Sequence, residues 1–243
     1  MKTRQKNIFP AGDAAVLIAR LFLGRPYQAH TLDGTGREKL IVNVSAFDCV
    51  TFVETVLALT RCARRGNLTP SAFKKNLKFI RYRGGKIRGY ASRLHYFTDW
   101  LRDNETKGVL ADVTGRLGGK PLRKKIDFMT THRALYPRLK NPAQFSEIMQ
   151  AEKSLSRRTF RIIPREQIGA RSDKILNGDL IAFGARQPGL DVAHVGFALR
   201  QGKNLRLLHA SPKDGKIALS RQTLADYLRS HEKYTGVLVA RLL

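Results

Sequence analysis

FDCVTFVETVLALTRCARRG (residues 47–66) is an apolar run without proline or internal glycine, and its spacing predicts a helix from about 49 to 64. Asp48 is placed to cap its start and Gly66 to stop it, with Arg61, Arg64 and Arg65 set against the negative end of the helix dipole. Cys49 therefore falls on the first turn. There, free N–H groups and a partial positive charge stabilise a thiolate and can hold an oxyanion. The charge of Asp48 opposes the thiolate, so the net shift stays open. Most free cysteines are small buried hydrophobes, and that reading is kept for Cys62. Thirteen helical residues separate the two cysteines by about 20 Å, beyond the roughly 7 Å a disulfide spans.

Outward from this helix, DVAHVGFALRQGKNLRLLHAS (191–211) predicts a two-stranded hairpin that turns near Gly202. His194 opens one strand and His209 ends the next. Their midpoint falls between residues 201 and 202, so a tight hairpin centred there sets the two imidazoles side by side on one face. A cysteine, a base histidine and an orienting third group are the components of a cysteine hydrolase. Two unrelated strand histidines are the plainer alternative, which the register makes less attractive.

The rest of the chain divides by character. A first helix is expected over 14–23, with Asp13 as N-cap and Gly24 as stop, then a glycine-rich loop (33–36) and a short strand LIVNV (40–44). Further helices are expected over 70–80, around 144–156 and over 221–230. The last third carries short apolar runs, DLIAFGA (179–185), HVGFALR (194–200), NLRLLHA (204–210), KIALS (216–220) and GVLVARLL (236–243), which predict an antiparallel meander. Helices first and strands last give an α+β fold.

The order of D-C-x-x-F-V, G-D-L, H-V-G and H-A-S resembles the NlpC-type papain-like cell-wall cysteine peptidases, as do LGRPY (23–27) and NGDLIAFG (177–184). FDCVTFVET, RYRGGKIRGYASRLHYFTDWLRDN (81–104), GLDVAHVGFA (189–198) and LLHAS (207–211) resemble more closely the N-acetylmuramoyl-L-alanine amidase-like branch, over about 15–243. The resemblance implies a single papain-like catalytic domain over 1–243, with the cysteine helix packed on an antiparallel sheet and an insertion at about 66–175. It implies Cys49 as nucleophile, His194 as general base and His209 as orienting residue, with no cofactor and no metal. It further implies substrate contacts at Tyr27, Asp48, Arg93, His95, Tyr96 and Asp191. The activity to expect is hydrolysis of the amide between N-acetylmuramic acid and L-alanine in peptidoglycan or a muropeptide. Cleavage of the stem peptide between D-glutamate and the diamino acid uses the same groups and stays open.

Within 93–104, Arg93, His95, Tyr96 and Trp100 suit the wall of a substrate groove, since arginine pairs with carboxylates and aromatic faces suit sugar rings. The same segment also reads as a helix packing Leu94, Phe97 and Leu101 inward.

The 243 residues carry 45 Lys and Arg against 19 Asp and Glu, a formal charge of +26. Such a surface attracts polyanions. Basic clusters at 61–65, 74–83, 123–125 and 157–158 come without a recognised nucleic-acid module, which favours anionic cell-envelope polymers over nucleic acid as company; a non-catalytic binding protein is the alternative of a different class. Gly84–Gly85 and Gly118–Gly119 lack the context of phosphate loops. No apolar run reaches the roughly 18 residues of a membrane span. Lys2, Arg4 and Lys6 ahead of AAVLIARLFLG (14–24) resemble a leader weakly, because Arg20 interrupts it. The expected location is the periplasm if a leader was removed, and otherwise the cytoplasm or leaderless export.

Overall fold

The computed structural model describes residues 9–33 and 36–243. Lys2, Arg4, Lys6 and the centre of the glycine-rich loop, Gly34 and Thr35, lie outside the described residues. Four helices come first: α1 (Ala11–Arg20), α2 (Cys49–Arg64), α3 (Pro70–Arg81) and α4 (Phe97–Thr106). Strands β1 (Leu110–Asp112) and β2 (Lys120–Arg123) follow, then α5 (Phe128–Thr131), α6 (Pro142–Ser156) and β3 (Thr159–Pro164). The last third holds β4 (Leu180–Ala185), β5 (Val192–Gln201), β6 (Asn204–Ser211), β7 (Lys216–Leu219), α7 (Leu224–Arg229) and β8 (Tyr234–Leu242). The fold is mixed α+β, with helices on one antiparallel sheet ordered β2-β3-β8-β4-β5-β6-β7, and β1 also paired with β8.

The expected meander holds from β4 to β7 and then breaks. The helix α7 carries the chain back so that β8 enters on the far side of β4. That makes β4 and β8 central, consistent with an all-buried β4 and a largely buried β8. Within residues 66–175, β1 and β3 both pair with β8. The rest of that segment adds a smaller core around Tyr96, Ile126, Met129, Leu139 and Ile148.

Alternation along the strands sorts the core into two layers. Leu180, Ala182, Val195, Phe197, Leu208 and Ala210 face α1 and α2, where Phe52 meets Phe197 edge to face at 5.9 Å. Ile181, Phe183, Ala198, Leu207, Val237 and Val239 face the other side, with Leu224 and Leu228 of α7.

Helix α1 starts three residues earlier than its sequence suggests. Pro10 caps it, while Asp13 lies in the first turn and accepts from the Asn177 side chain at 2.7 Å. Gly12 and Gly178 permit that approach: a Cβ on Gly12 would lie 2.3 Å from the Asn177 carbonyl oxygen. No strand forms over 40–44. Val42 and Val44 are exposed, and Asn43 closes a turn by accepting from the N–H groups of Ser45 and Ala46. The segment is held instead by a side chain, the Arg81 guanidinium donating to the Ile41 carbonyl at 2.6 Å. Helix α2 matches its expected span, and both cysteines are free.

Candidate active site

Asp48 accepts the Thr51 N–H at 2.7 Å while the Thr51 hydroxyl accepts the Asp48 N–H at 3.0 Å, a reciprocal cap that fixes where α2 begins. Phe52 N–H bonds to the Asp48 carbonyl. The N–H groups of Cys49 and Val50 are thereby left to face the Cys49 sulfur, and that of Val195 on β5 joins them. Farther along α2, buried Glu54 pairs with Arg81 at 2.6 Å and accepts from the Trp100 indole at 3.1 Å, tying the helix to α3 and α4.

The Val195 contact follows from how β5 and β6 part. Ala198 exchanges hydrogen bonds with Asp179 and Gly178, so even-numbered residues of β5 bond to β4 and odd-numbered ones point toward β6. The β5–β6 ladder runs from Gln201↔Asn204 to Phe197↔Leu208 and stops. Val195 N–H thus lies beyond the ladder, near enough to the Cys49 sulfur to favour its thiolate. Cys49 sits against the backbone one residue from His194.

His194 Nε2 and His209 Nδ1 are 2.6 Å apart, with their rings edge to face. Both side chains are buried. The hairpin register is two residues further on than the midpoint of the histidines suggests, which sets His209 diagonal to His194 and beside Gly196. A shift of two keeps both on one face. With Nε2 of His194 occupied by His209, its Nδ1 is the nitrogen left for a thiol.

Burial dominates the electrostatics. It pushes the Cys49 thiol up to about 12, with the Asp48 carboxylate adding to the effect and the three N–H groups opposing it. It holds His194 well below the usual imidazole range, helped by His209, Lys233 and His231, and lowers His209 to about 4. At neutral pH the resting site is a thiol and two neutral imidazoles. The net shift, open from sequence, is upward: Asp48 opposes the thiolate as expected, and burial does so more.

Tyr27 stands beside this group. It bridges to Phe47, and the charges of Cys49 and Asp48 act with burial to raise its phenol. The other residues nominated from sequence make contacts within the fold. Arg93 is buried, donates to the Leu32 carbonyl at 2.9 Å and lies over the Tyr90 ring. His95 bonds to the Tyr90 carbonyl at 2.9 Å, and burial lowers it to about 3. The Tyr96 hydroxyl donates to Glu152 at 2.6 Å. Asp191 accepts the N–H and hydroxyl of Thr98, both at 2.7 Å, and so caps the start of α4. Trp100 is fully buried.

Sequence reading passed over the layer behind the histidines. His194 packs against the touching pair Phe183 and Tyr234, while Tyr227 meets His209 at 5.4 Å and stacks on His231 at 4.3 Å. Tyr227 is on α7 and Tyr234 on β8, two elements that only the crossover brings to β5. The spacing of Tyr227, His231 and Tyr234 was the available signal.

A protein-family profile described as N-acetylmuramoyl-L-alanine amidase-like matches residues 17–237. A Bacteroides uniformis crystal structure described as an N-acetylmuramoyl-L-alanine amidase is 39% identical, with a TM-score of 0.91 over 96% of this chain and 99% of that one. A Bacteroides fragilis structure, provisionally described as a xylanase, is 38% identical with a TM-score of 0.85, over 93% of this chain and 100% of that one. A Legionella pneumophila protein shares the fold at 24% identity, with a TM-score of 0.72 over 98% of this chain and 90% of that one. No curated protein sequence matches the chain.

Proposed function

The chain belongs to the N-acetylmuramoyl-L-alanine amidase-like family, and from that premise we propose that it is a papain-like, NlpC-type cysteine amidase. It hydrolyses the amide between N-acetylmuramic acid and L-alanine in peptidoglycan or a muropeptide. Cys49 is the nucleophile, His194 the general base and His209 the residue that orients it. The observation that carries this reading is the 2.6 Å bond from His194 Nε2 to His209 Nδ1, one residue from the N–H that meets the Cys49 sulfur.

The chemistry follows from the protonation states. The neutral pair favours attack coupled to proton transfer: His194 Nδ1 takes the thiol proton as sulfur bonds to the lactyl carbonyl. His194 Nε2–H donates to neutral His209 throughout, which fixes the tautomer and stabilises the imidazolium less than a carboxylate would. N–H groups at the α2 terminus meet the developing oxyanion. His194 then gives its proton to the L-alanine nitrogen as the C–N bond breaks, leaving a thioester on Cys49. Water, deprotonated by His194, attacks the thioester and restores the thiol. Tyr27 lines the pocket, and Asp48 holds the helix terminus. Arg93, His95, Tyr96 and Asp191 act by fixing the segment that carries α4.

A xylanase chemistry fits these residues poorly. Glycoside hydrolysis uses two carboxyl groups about 5–10 Å apart. Of the carboxylates near Cys49, Asp48 is the one whose charge reaches the sulfur, and it is committed to the cap.

The test is mass spectrometry of muropeptides incubated with the protein and with Cys49→Ala. Release of an intact peptide beginning with L-alanine, absent with the variant, is the expected result. Cleavage after D-glutamate would make it an endopeptidase, and no Cys49-dependent product would overturn the reading.

A further inference from the structure

At the other end of α2, about 18 Å along the helix from Cys49, a groove of roughly 660 Å³ opens between α2, α3 and the Gly84–Gly85 turn. Arg61, Arg65, Lys75, Lys78 and Lys86 line it, and no carboxylate does among the described residues. One or two of these charges would complement the helix C-terminus. Five around one concavity repel one another, and Arg65 helps burial hold the Arg61 guanidinium below its usual range.

The groove is also ordered. Arg61 donates through Nε to Asn76 Oδ1 at 3.1 Å, and Asn76 is itself buried, donating to the Ala72 carbonyl and the Cys62 sulfur. Among the described residues the two terminal nitrogens of Arg61 donate no hydrogen bond, and with Nε fixed they form a fork at the groove wall, the geometry that suits an oxyanion. Backbone does not compete: Gly84 N–H goes to Asp103 and Gly85 N–H to the Tyr82 carbonyl. The aromatic ring at the site, Phe79, carries Arg61 at 5.2 Å and Lys107 at 5.0 Å over it. With cations already over it, the ring is a poor platform for stacking a nucleobase.

We propose that this groove binds a linear chain of phosphate groups lacking aromatic bases, either a polyol-phosphate polymer or inorganic polyphosphate. The site goes beyond the amidase reading and does not depend on it. An enzyme held this way stays on an anionic polymer while Cys49 works about 18 Å away.

Binding of a ten-phosphate polyphosphate and of a glycerol-phosphate oligomer of equal length should be measured by calorimetry at about 150 mM salt, a concentration that screens weak surface attraction. The triple variant R65A/K75A/K78A changes exposed side chains only and is checked for an unchanged melting temperature. It should weaken both ligands at least tenfold. The charge-matched control R123A/K153A/R157A, on a separate basic patch, should change them less than twofold. Cys49→Ala should bind as the unsubstituted protein does, so failure of the amidase reading and failure of this one are separable. Which oligomer binds more tightly identifies the source. Equal losses in both triple variants would reduce the groove to general surface charge. A single-stranded oligonucleotide of the same phosphate count binding as tightly would overturn the base-free assignment. As a second readout, the amides of Phe79 and Gly85 should shift in NMR spectra on titration with polyphosphate, and their silence would also overturn it.

Discussion

A Cβ on Gly196 would stand 2.9 Å from the Cβ of His209 and 2.8 Å from the carbonyl oxygen of Leu208. The bare backbone at Gly196 is what lets the diagonal ring of His209 lie across to His194. Gly196→Ala must push His209 or its strand aside. A loss of about 1–3 kcal/mol in stability is expected from such overpacking. With the orienting bond disturbed, kcat should fall about ten- to a hundredfold with little change in KM. Chemical denaturation and steady-state kinetics check the two effects separately; unaltered kcat would mean that His209 does not orient His194.

Removing the orienting group outright should cost more. His209→Ala leaves His194 Nε2 without its acceptor, and kcat should drop by about 10²–10⁴, the range of a general-base contribution. His209→Asn, which retains an acceptor, should recover part of it. The comparison of kcat between the two variants is the measurement, and equal activity in both would deny His209 that role.

The two cysteines should behave oppositely. Cys49→Ala, or alkylation of Cys49, should abolish hydrolysis. Cys62 is buried at the groove with its sulfur 3.3 Å from the Asn76 amide, so Cys62→Ser should leave hydrolysis intact. Because the Cys49 thiol lies up at about 12, its alkylation by iodoacetamide should quicken roughly tenfold per pH unit between about pH 7 and 10. A rate already on a plateau at pH 8 would indicate a resting thiolate instead.

Stability should depend on pH through the histidine pair. The folded values of His194 and His209 lie below the ordinary 6.5, with His209 at about 4. Between those limits the unfolded chain binds more protons than the native one, so stability rises with pH. It is full above about pH 6.5 and is lost as pH falls toward about 4. Denaturation midpoints across that window, compared with a His209→Asn variant, check the sign. The slope should be shallower in the variant.

The buried pair under the site carries its own expectation. Glu54 and Arg81 are 2% and 3% exposed. Glu54→Gln leaves the Arg81 guanidinium without its charge partner in the interior, which typically costs about 3–5 kcal/mol. Thermal unfolding of the variant gives the value. A change below about 1 kcal/mol, the size usual for surface pairs, would place the pair in effective contact with solvent.

Local chemistry made much of the molecule legible. The Asp48 cap, the apolar run to Arg64 and the Gly66 stop depend on residues within a few positions of one another, so α2 and the place of Cys49 on it could be read directly. The strands β4 to β7 carried their own alternation and turns in the same way. Parity on a strand has a period of two, so the shared face of His194 and His209 could be read even though the register was two residues off. The sequence also determined the excess of positive charge. Tertiary structure alone decided where β8 inserts, because its pairing with β4 is a contact between distant segments with no local signature. It decided that 40–44 finds no partner strand, and that Arg93, Tyr96 and Asp191 bond partners far along the chain, while His95 bonds the Tyr90 carbonyl five residues away. It also set the protonation states of the site. The helix terminus favours a thiolate, but burial of Cys49 beside Asp48 outweighs it, and burial is a property of the assembled fold.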